Sequence, residues 1–104
     1  MSRLEAKFQA ALIDTYHQTK AETGYNALGF LQLLHNRKGL GAAQYLIHQP
    51  RPSEGYVKLF EYNRLDLTVE AIIYDNPEWH PLFTEEEMAV VKRRLQEYEY
   101  IPRD

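Results

Sequence analysis

The amino-acid sequence predicts an all-α fold, in which five to six short helices form a single compact domain. Apolar residues recur every three or four positions near both ends of the chain, which is the spacing of one helix face. Capping residues, glycines and prolines separate these stretches. A chain of 104 residues has room for one core but not for two domains of ordinary size, so we expect one helical domain over residues 1–104.

The first helix is predicted over residues 2–23. Its apolar stripe consists of residues four positions apart, Leu4, Phe8, Leu12 and Tyr16. Gly24 follows at the position where a helix C-terminus favours glycine. A second helix is predicted from Ala27 to His35, with Asn26 as its N-cap. Leu28, Leu31 and Leu34 share one face of it, and we expect this helix to be largely buried.

A polar stop at residues 36–39 separates the second helix from a third one. The stop contains Arg37 and Lys38, which suit the negative end of a helix dipole. The third helix is predicted from about Leu40 to His48. Prolines at positions 50 and 52 end it, because proline lacks a backbone donor and disfavours helix in the preceding residue.

The stretch from Ser53 to Asp75 carries conflicting patterns. Ser53 is placed as an N-cap, whereas residues 64–70 alternate apolar and polar side chains as a half-buried strand does. Three apolar residues in succession then break the alternation, and Asp66 can cap a helix. We predict two short helices here, the alternative being an α+β fold with a small hairpin within residues 56–74.

The last helix begins at Thr84, which forms a capping box pattern with Glu87. Acidic residues fill its first turn and basic residues come later, as the helix dipole favours. We expect Lys92, Arg93 and Arg94 to be a solvated part of this helix. Its inward stripe is predicted to consist of Met88, Val91, Leu95 and Tyr98. Before it, Asn76 and Pro77 form a cap and first-position pair.

The composition excludes several classes of protein. Cysteine is absent, so neither a disulfide framework nor a zinc-thiolate site is expected. No stretch approaches the roughly 20 apolar residues of a membrane span, and no signal peptide is evident, so the expected location is the cytoplasm. A net charge of -3 gives no overall attraction to nucleic acid, which leaves only a local basic face for such binding.

No catalytic constellation stands out in the sequence. The four histidines lack the one-turn spacing at which two imidazoles share a metal, and the glycine-rich loops of nucleotide-binding sites are missing. We therefore predict no catalytic residue, metal or cofactor, and a protein that is not an enzyme. The enzyme hypothesis rests on Asp66, Glu70 and His80, although capping, helix-surface solubility and ion pairing with Arg64 explain the two acids without catalysis.

The segment from Phe30 to Ile47 resembles the helix-hairpin-helix motif through Gly39-Leu40-Gly41. In that motif the amides at the start of the second helix bind a DNA phosphate without reading bases. The resemblance implies a phosphate site at Gly39 and Gly41 with Arg37 and Lys38 beside it. The bulky Tyr45 and the missing hairpin proline depart from the motif, and an ordinary turn between helices is the favoured interpretation.

Aromatic residues give the leading functional hypothesis. Eight tyrosines exceed what a small core normally hides, and tyrosine and tryptophan are common anchors of protein interfaces. We predict a non-enzymatic module that binds a protein partner or itself through a surface including Tyr25, Trp79 and Tyr98. DNA-backbone binding through Arg37 and its neighbours is the alternative.

Short motifs along the chain also resemble those of a widespread small bacterial domain family of uncharacterised function. The motifs in order are Gly24-Tyr25-Asn26, Phe30-Leu31, Gly39-Leu40, Pro52-Ser53, Arg64 to Glu70, Leu82-Phe83-Thr84 and Arg94-Leu95. The resemblance covers residues 5 to 100 approximately. It implies a helical, single-domain protein of bacterial or phage origin, and it implies no activity or catalytic residue.

Overall fold

A computed structural model describes residues 2–101, and within them all regular structure is helical. The described part contains five α-helices: α1 Arg3–Thr23, α2 Leu28–Ile47, α3 Glu54–Glu61, α4 Val69–Asp75 and α5 Glu85–Glu97. Two 3-10 helices, Leu65–Leu67 and Pro77–Leu82, flank α4. The predicted all-α class is confirmed, and the alternative hairpin within residues 56–74 is wrong.

The chain divides into two compact units, and the boundary falls near the end of α2. The first unit ends at Tyr45 and the second begins at Leu46. Buried apolar side chains of the first unit are Phe8, Leu12, Tyr16, Leu34, Ala42 and Ala43. Those of the second unit include Tyr56, Leu59, Ile73, Trp79, Val91 and Leu95. The expectation of one domain over residues 1–104 stays a prediction.

Local signals account for α1. Ser2 is its N-cap and accepts a hydrogen bond from the Glu5 amide at 3.1 Å. At the other end Gly24 adopts the left-handed conformation with φ 77, which glycine reaches without steric cost. Phe8 and Leu12, which lie on the predicted apolar stripe, are buried. The prediction for this helix is therefore confirmed.

The predicted separation of the second and third helices is confirmed at Lys38. α2 consists of two helices that meet at this residue, whose φ of 63 and ψ of -179 are not helical. Asn26 does not cap α2; its Oδ1 accepts the Tyr16 hydroxyl at 2.6 Å. Nor is the first half of α2 largely buried, since Leu34 is buried but Leu28 is 60% exposed. The break in the helix is a one-residue kink rather than a polar turn.

The stretch from Ser53 to Asp75 is helical, but only one of its two predicted cap residues acts as a cap. Ser53 caps α3, as expected, by accepting from the Tyr56 amide. Asp66 does not cap α4, because its carboxylate binds the Arg64 guanidinium at 3.0 and 3.1 Å. Thr68 caps α4 instead, through a 3.1 Å hydrogen bond from the Ala71 amide.

The last helix begins as predicted. Thr84 and Glu87 form the complete capping box of α5, with hydrogen bonds of 2.9 and 3.1 Å. On its inward side Val91 and Leu95 are buried. Arg94 is buried as well, which contradicts the prediction that the basic run is solvated throughout.

Candidate functional site

The kink in α2 lies where this helix comes into close contact with α1, inside the first unit. A Cβ atom added to Gly39 would lie 2.6 Å from the Cα atom of Gln9, a distance that no side chain tolerates. The Gly39 amide also donates to the Gln9 Oε1 at 3.4 Å. Glycine is therefore required at position 39 by helix packing.

Lys38 has an unfavourable backbone conformation at this kink. Its φ of 63 and ψ of -179 lie in a region that is essentially confined to glycine and that costs other residues about 1–3 kcal/mol. Asn63 and Glu99 also have positive φ, at 59 and 56, but they occupy the positions just past the caps of α3 and α5, where a left-handed residue is common. Lys38 has no such explanation.

An open depression of about 290 Å³ lies beside the kink. Its lining residues are Glu5, Arg37, Lys38, Leu40, Gly41 and Gln44; we call it the Lys38 pocket. The Arg37 guanidinium stacks over the Tyr45 ring, with 4.4 Å between Cζ and the ring centroid. Such cation–π contact holds the planar guanidinium in one orientation. The pocket thus presents two cations and one carboxylate.

The predicted phosphate site is only partly reproduced by this arrangement. Arg37, Lys38 and Gly41 all line the pocket. Gly39 does not fit the predicted role, because the residue is buried and its amide donates to Gln9. Backbone capture of a phosphate at Gly39, as in a helix-hairpin-helix motif, is therefore not supported by the geometry.

The second unit carries an aromatic cluster between α3 and α5. The Tyr98 ring meets the Phe60 ring edge-on at a centroid distance of 4.9 Å and the Tyr56 ring at 5.0 Å. Tyr56 is buried, and its hydroxyl donates to the Arg94 carbonyl at 3.0 Å. Burial raises the pKa of this hydroxyl far above its ordinary value, so the hydroxyl stays protonated as a donor.

The exposed part of this cluster differs from the predicted aromatic surface. Phe60 is 45% exposed and Tyr62 is 48% exposed, and neither was predicted as a contact residue. Trp79 is a correction: it is only 5% exposed and belongs to the core, so it is not an interface anchor. Tyr98 is half-buried within the cluster, and Tyr25 is half-buried in the first unit.

Val57 and Phe60 have the spacing of one helix face, and this pattern favours an inward position for Phe60. The side chains that α3 buries are Tyr56 and Leu59, so Phe60 lies at the edge of that face. The sequence carries a partial signal for exposure, since Glu61 and Asn63 mark a polar helix end directly after Phe60.

A buried ion pair links α4 and α5 in the second unit. The Arg94 Nη1 lies 3.1 Å from the Glu70 Oε2, and both residues are 3% exposed. Arg94 also donates to the carbonyls of Leu46, Ile47 and Gln49 at 3.0, 3.4 and 2.5 Å. Burial raises the pKa of Glu70, although its backbone hydrogen bond and Arg94 oppose this effect. The prediction that Glu70 is a solubilising surface residue is wrong.

The three residues of the enzyme hypothesis each bind a different structural partner. Asp66 pairs with Arg64, Glu70 pairs with Arg94, and the His80 Nε2 binds the Ile73 carbonyl at 2.8 Å. These contacts give each group a structural role in the second unit. Over residues 2–101, no three histidine or acidic side chains come together as a metal site would require.

Comparisons with known proteins identify no relative of this chain. Neither the protein-family models, nor the curated proteins, nor the solved structures contain a match to this chain. The resemblance to a small bacterial domain family therefore stays a prediction. No helix in the described part of the chain is both long and apolar enough to cross a membrane.

Proposed function

We propose that this chain is a non-enzymatic, cytoplasmic module that binds a protein partner through the aromatic surface of its second unit. The observation that carries the proposal is Phe60, an apolar ring that is 45% exposed while in contact with the ring of Tyr98. We call Phe60, Tyr98 and the neighbouring exposed Tyr62 the aromatic surface. This surface keeps Tyr98 from the predicted set and leaves out Trp79, which is in the core, and Tyr25, which lies in the first unit.

The aromatic surface has the properties of an interface anchor. Aromatic rings bring a large apolar area with few rotatable bonds, and they dominate the energetics of many interfaces. Here the ring of Tyr98 is held between Phe60 and the buried Tyr56, with edge contacts on both. Because the rings are already in place, little conformational entropy would be lost when a partner covers them.

The structural roles of the polar groups support a non-enzymatic function. The acids and the histidine of the enzyme hypothesis bind Arg64, Arg94 and a backbone carbonyl. A general acid or base has to reach a substrate proton within hydrogen-bond distance. Groups that maintain contacts between helices are poorly placed for such proton transfer.

Affinity capture with the immobilised protein tests the proposal, using lysate of the source organism and light scattering of the purified protein. Phe60→Ser should abolish retention of the partner, or self-association, because it removes the exposed ring. Leu28→Ser is the matched control, since Leu28 is a helical apolar residue that is 60% exposed in the first unit. Circular dichroism checks that both variants remain folded.

The proposal fails if the wild-type protein is strictly monomeric and retains nothing. It also fails if a retained partner is lost equally with Phe60→Ser and with Leu28→Ser, because the effect would then reflect general surface stickiness. A partner that depends on Phe60 and not on Leu28 is the expected result.

A further inference from the structure

We propose that the Lys38 pocket of the first unit binds a singly charged oxyanion of the phosphodiester or carboxylate class through the side chains of Arg37 and Lys38. The pocket has a volume of about 290 Å³, which is sufficient for one such group. This inference goes beyond the proposed protein interaction, since it concerns a different unit and different chemistry.

A lysine occupies position 38, where glycine would be more stable. The kink needs a residue with φ 63 and ψ -179, and a side chain there is strained. Packing against α1 explains Gly39, the next residue, but gives no reason for a side chain at position 38. Strained residues with exposed functional groups cluster at binding sites, and the exposed Lys38 lines the pocket.

Arg37 is held in one orientation beside the pocket. Its guanidinium lies over the Tyr45 ring at 4.4 Å. Arginine matches oxyanions through a planar fork of donors, and less entropy is lost when that plane is already held in place. Gln44, which also lines the pocket, can add a neutral amide donor.

The charges of the pocket lining indicate the charge of the ligand. Arg37 and Lys38 supply two positive charges and Glu5 supplies one negative charge to the pocket lining. The remaining single positive charge suits a phosphodiester or a carboxylate. Glu5 repels a doubly charged phosphate monoester more strongly than a singly charged group, so this carboxylate reduces the advantage that the two cations give to a dianion.

Nuclear magnetic resonance titrations at low ionic strength test the proposal, with dimethyl phosphate and acetate as probes. At least one probe should shift the amides of residues 37–45 in a saturable way. Lys38→Gly should weaken binding about tenfold or more, the usual effect of losing one charge-assisted hydrogen bond. The variant should fold at least as well as the wild type, because glycine accepts this backbone conformation.

Two further variants sharpen the interpretation. Lys92→Ala removes an exposed lysine of the second unit and should leave the affinity unchanged, which controls for net charge. Glu5→Gln should increase the affinity for methyl phosphate, a doubly charged monoester, relative to dimethyl phosphate. A short DNA duplex then identifies the source of the oxyanion: binding that requires Lys38 indicates a nucleic-acid backbone, whereas a preference for acetate indicates a carboxylate.

The proposal is overturned if neither probe shifts residues 37–45, or if Lys38→Gly binds as tightly as the wild type. Neither result affects the aromatic surface, whose test depends on Phe60. The two proposals can therefore fail independently.

Discussion

Arg94→Ala is expected to remove a large part of the stability of the second unit. Arg94 and Glu70 form an ion pair in which both residues are 3% exposed. Removing one partner of such a pair costs about 3–5 kcal/mol, because the other charge remains buried without compensation. Whole domains are stable by only about 5–15 kcal/mol, so this single change is a severe perturbation.

The hydrogen bonds of Arg94 place the expected loss toward the upper part of that range. Its guanidinium donates to three carbonyls around the end of α2, those of Leu46, Ile47 and Gln49. The contact with Ile47 is buried and the other two are partly buried, so each carbonyl that loses its donor adds all or part of a desolvation penalty. The alanine variant therefore destabilises both the ion pair and the end of the helix.

Urea unfolding followed by circular dichroism measures this effect. For a slope of about 1–3 kcal/mol per molar urea, the midpoint should fall by at least about 1 M. Arg93→Ala is the matched control, because Arg93 pairs with Glu97 at 3.7 Å in a contact whose side chains are 63% and 60% exposed. Exposed pairs contribute about 0–1 kcal/mol, so the control should change little.

Glu70→Gln gives a second variant if Arg94→Ala does not fold. The amide oxygen can still accept from Arg94, and the carbonyl contacts of the guanidinium remain, so the loss should be smaller than with Arg94→Ala. A loss below about 1 kcal/mol for Arg94→Ala would refute the role assigned to the buried pair. Equal losses for Arg94→Ala and Arg93→Ala would refute it as well.

The pH dependence provides an independent check. Burial raises the pKa of Glu70 above its ordinary value of 4.5. A carboxyl with a raised folded-state pKa contributes stability that is fully present below the unfolded-state pKa and is lost as the pH rises through the folded-state pKa. Arg94 opposes the shift, so its removal raises this pKa further.

The stability gap between wild type and Arg94→Ala should consequently narrow as the pH falls from 7 toward 4.5, the ordinary pKa of the Glu70 carboxyl. The gap for Arg93→Ala, measured in parallel, should stay nearly constant because its pair is exposed. An Arg94→Ala gap of the same size at both pH values would show that the Glu70 charge is not its source.

Three further substitutions, one of them with a matched control, test the helices and their ends by thermal unfolding. Gly39→Ala should cost about 1–3 kcal/mol because the new Cβ would lie 2.6 Å from Gln9 Cα, whereas Gly29→Ala, with open space, should be neutral or gain up to about 1 kcal/mol. Glu99→Gly should stabilise by up to about 1 kcal/mol, since φ 56 favours glycine; a destabilised variant would contradict this. Thr84→Ala should lose about 1 kcal/mol with the capping box, and an unchanged melting temperature would exclude that contribution.

The helix ends were predictable where the interaction lies within a single turn. Ser2, Ser53 and Thr84 each accept from an amide three residues later. Such contacts depend only on neighbours in the chain, which is why cap residues identify these positions. The prediction of Asp66 as a cap was wrong because Arg64, two residues away, binds its carboxylate. Composition does not rank two local partners that compete for the same side chain.

The candidate sites, like the helix ends, were predictable only where the residues involved are close together in the sequence. Arg37 and Lys38 were predicted as a basic pair next to a glycine motif, and both line one pocket. The need for glycine at position 39 was not predictable, because it arises where Gln9, thirty residues earlier in the chain, meets Gly39. Of the predicted aromatic residues, Tyr98 belongs to the aromatic surface and Trp79 to the core, whereas the exposed Phe60 was not predicted.

The sequence by itself determined the helical class, the capped starts of α3 and α5, and the glycine end of α1. Only the tertiary structure decided that Glu70 and Arg94 are buried together although they lie 24 positions apart. Caps and periodicity are contacts within one or two helical turns, and they are read from adjacent residues. Burial is decided by whichever distant side chains cover a position, and a charge can be buried when its partner comes from another helix.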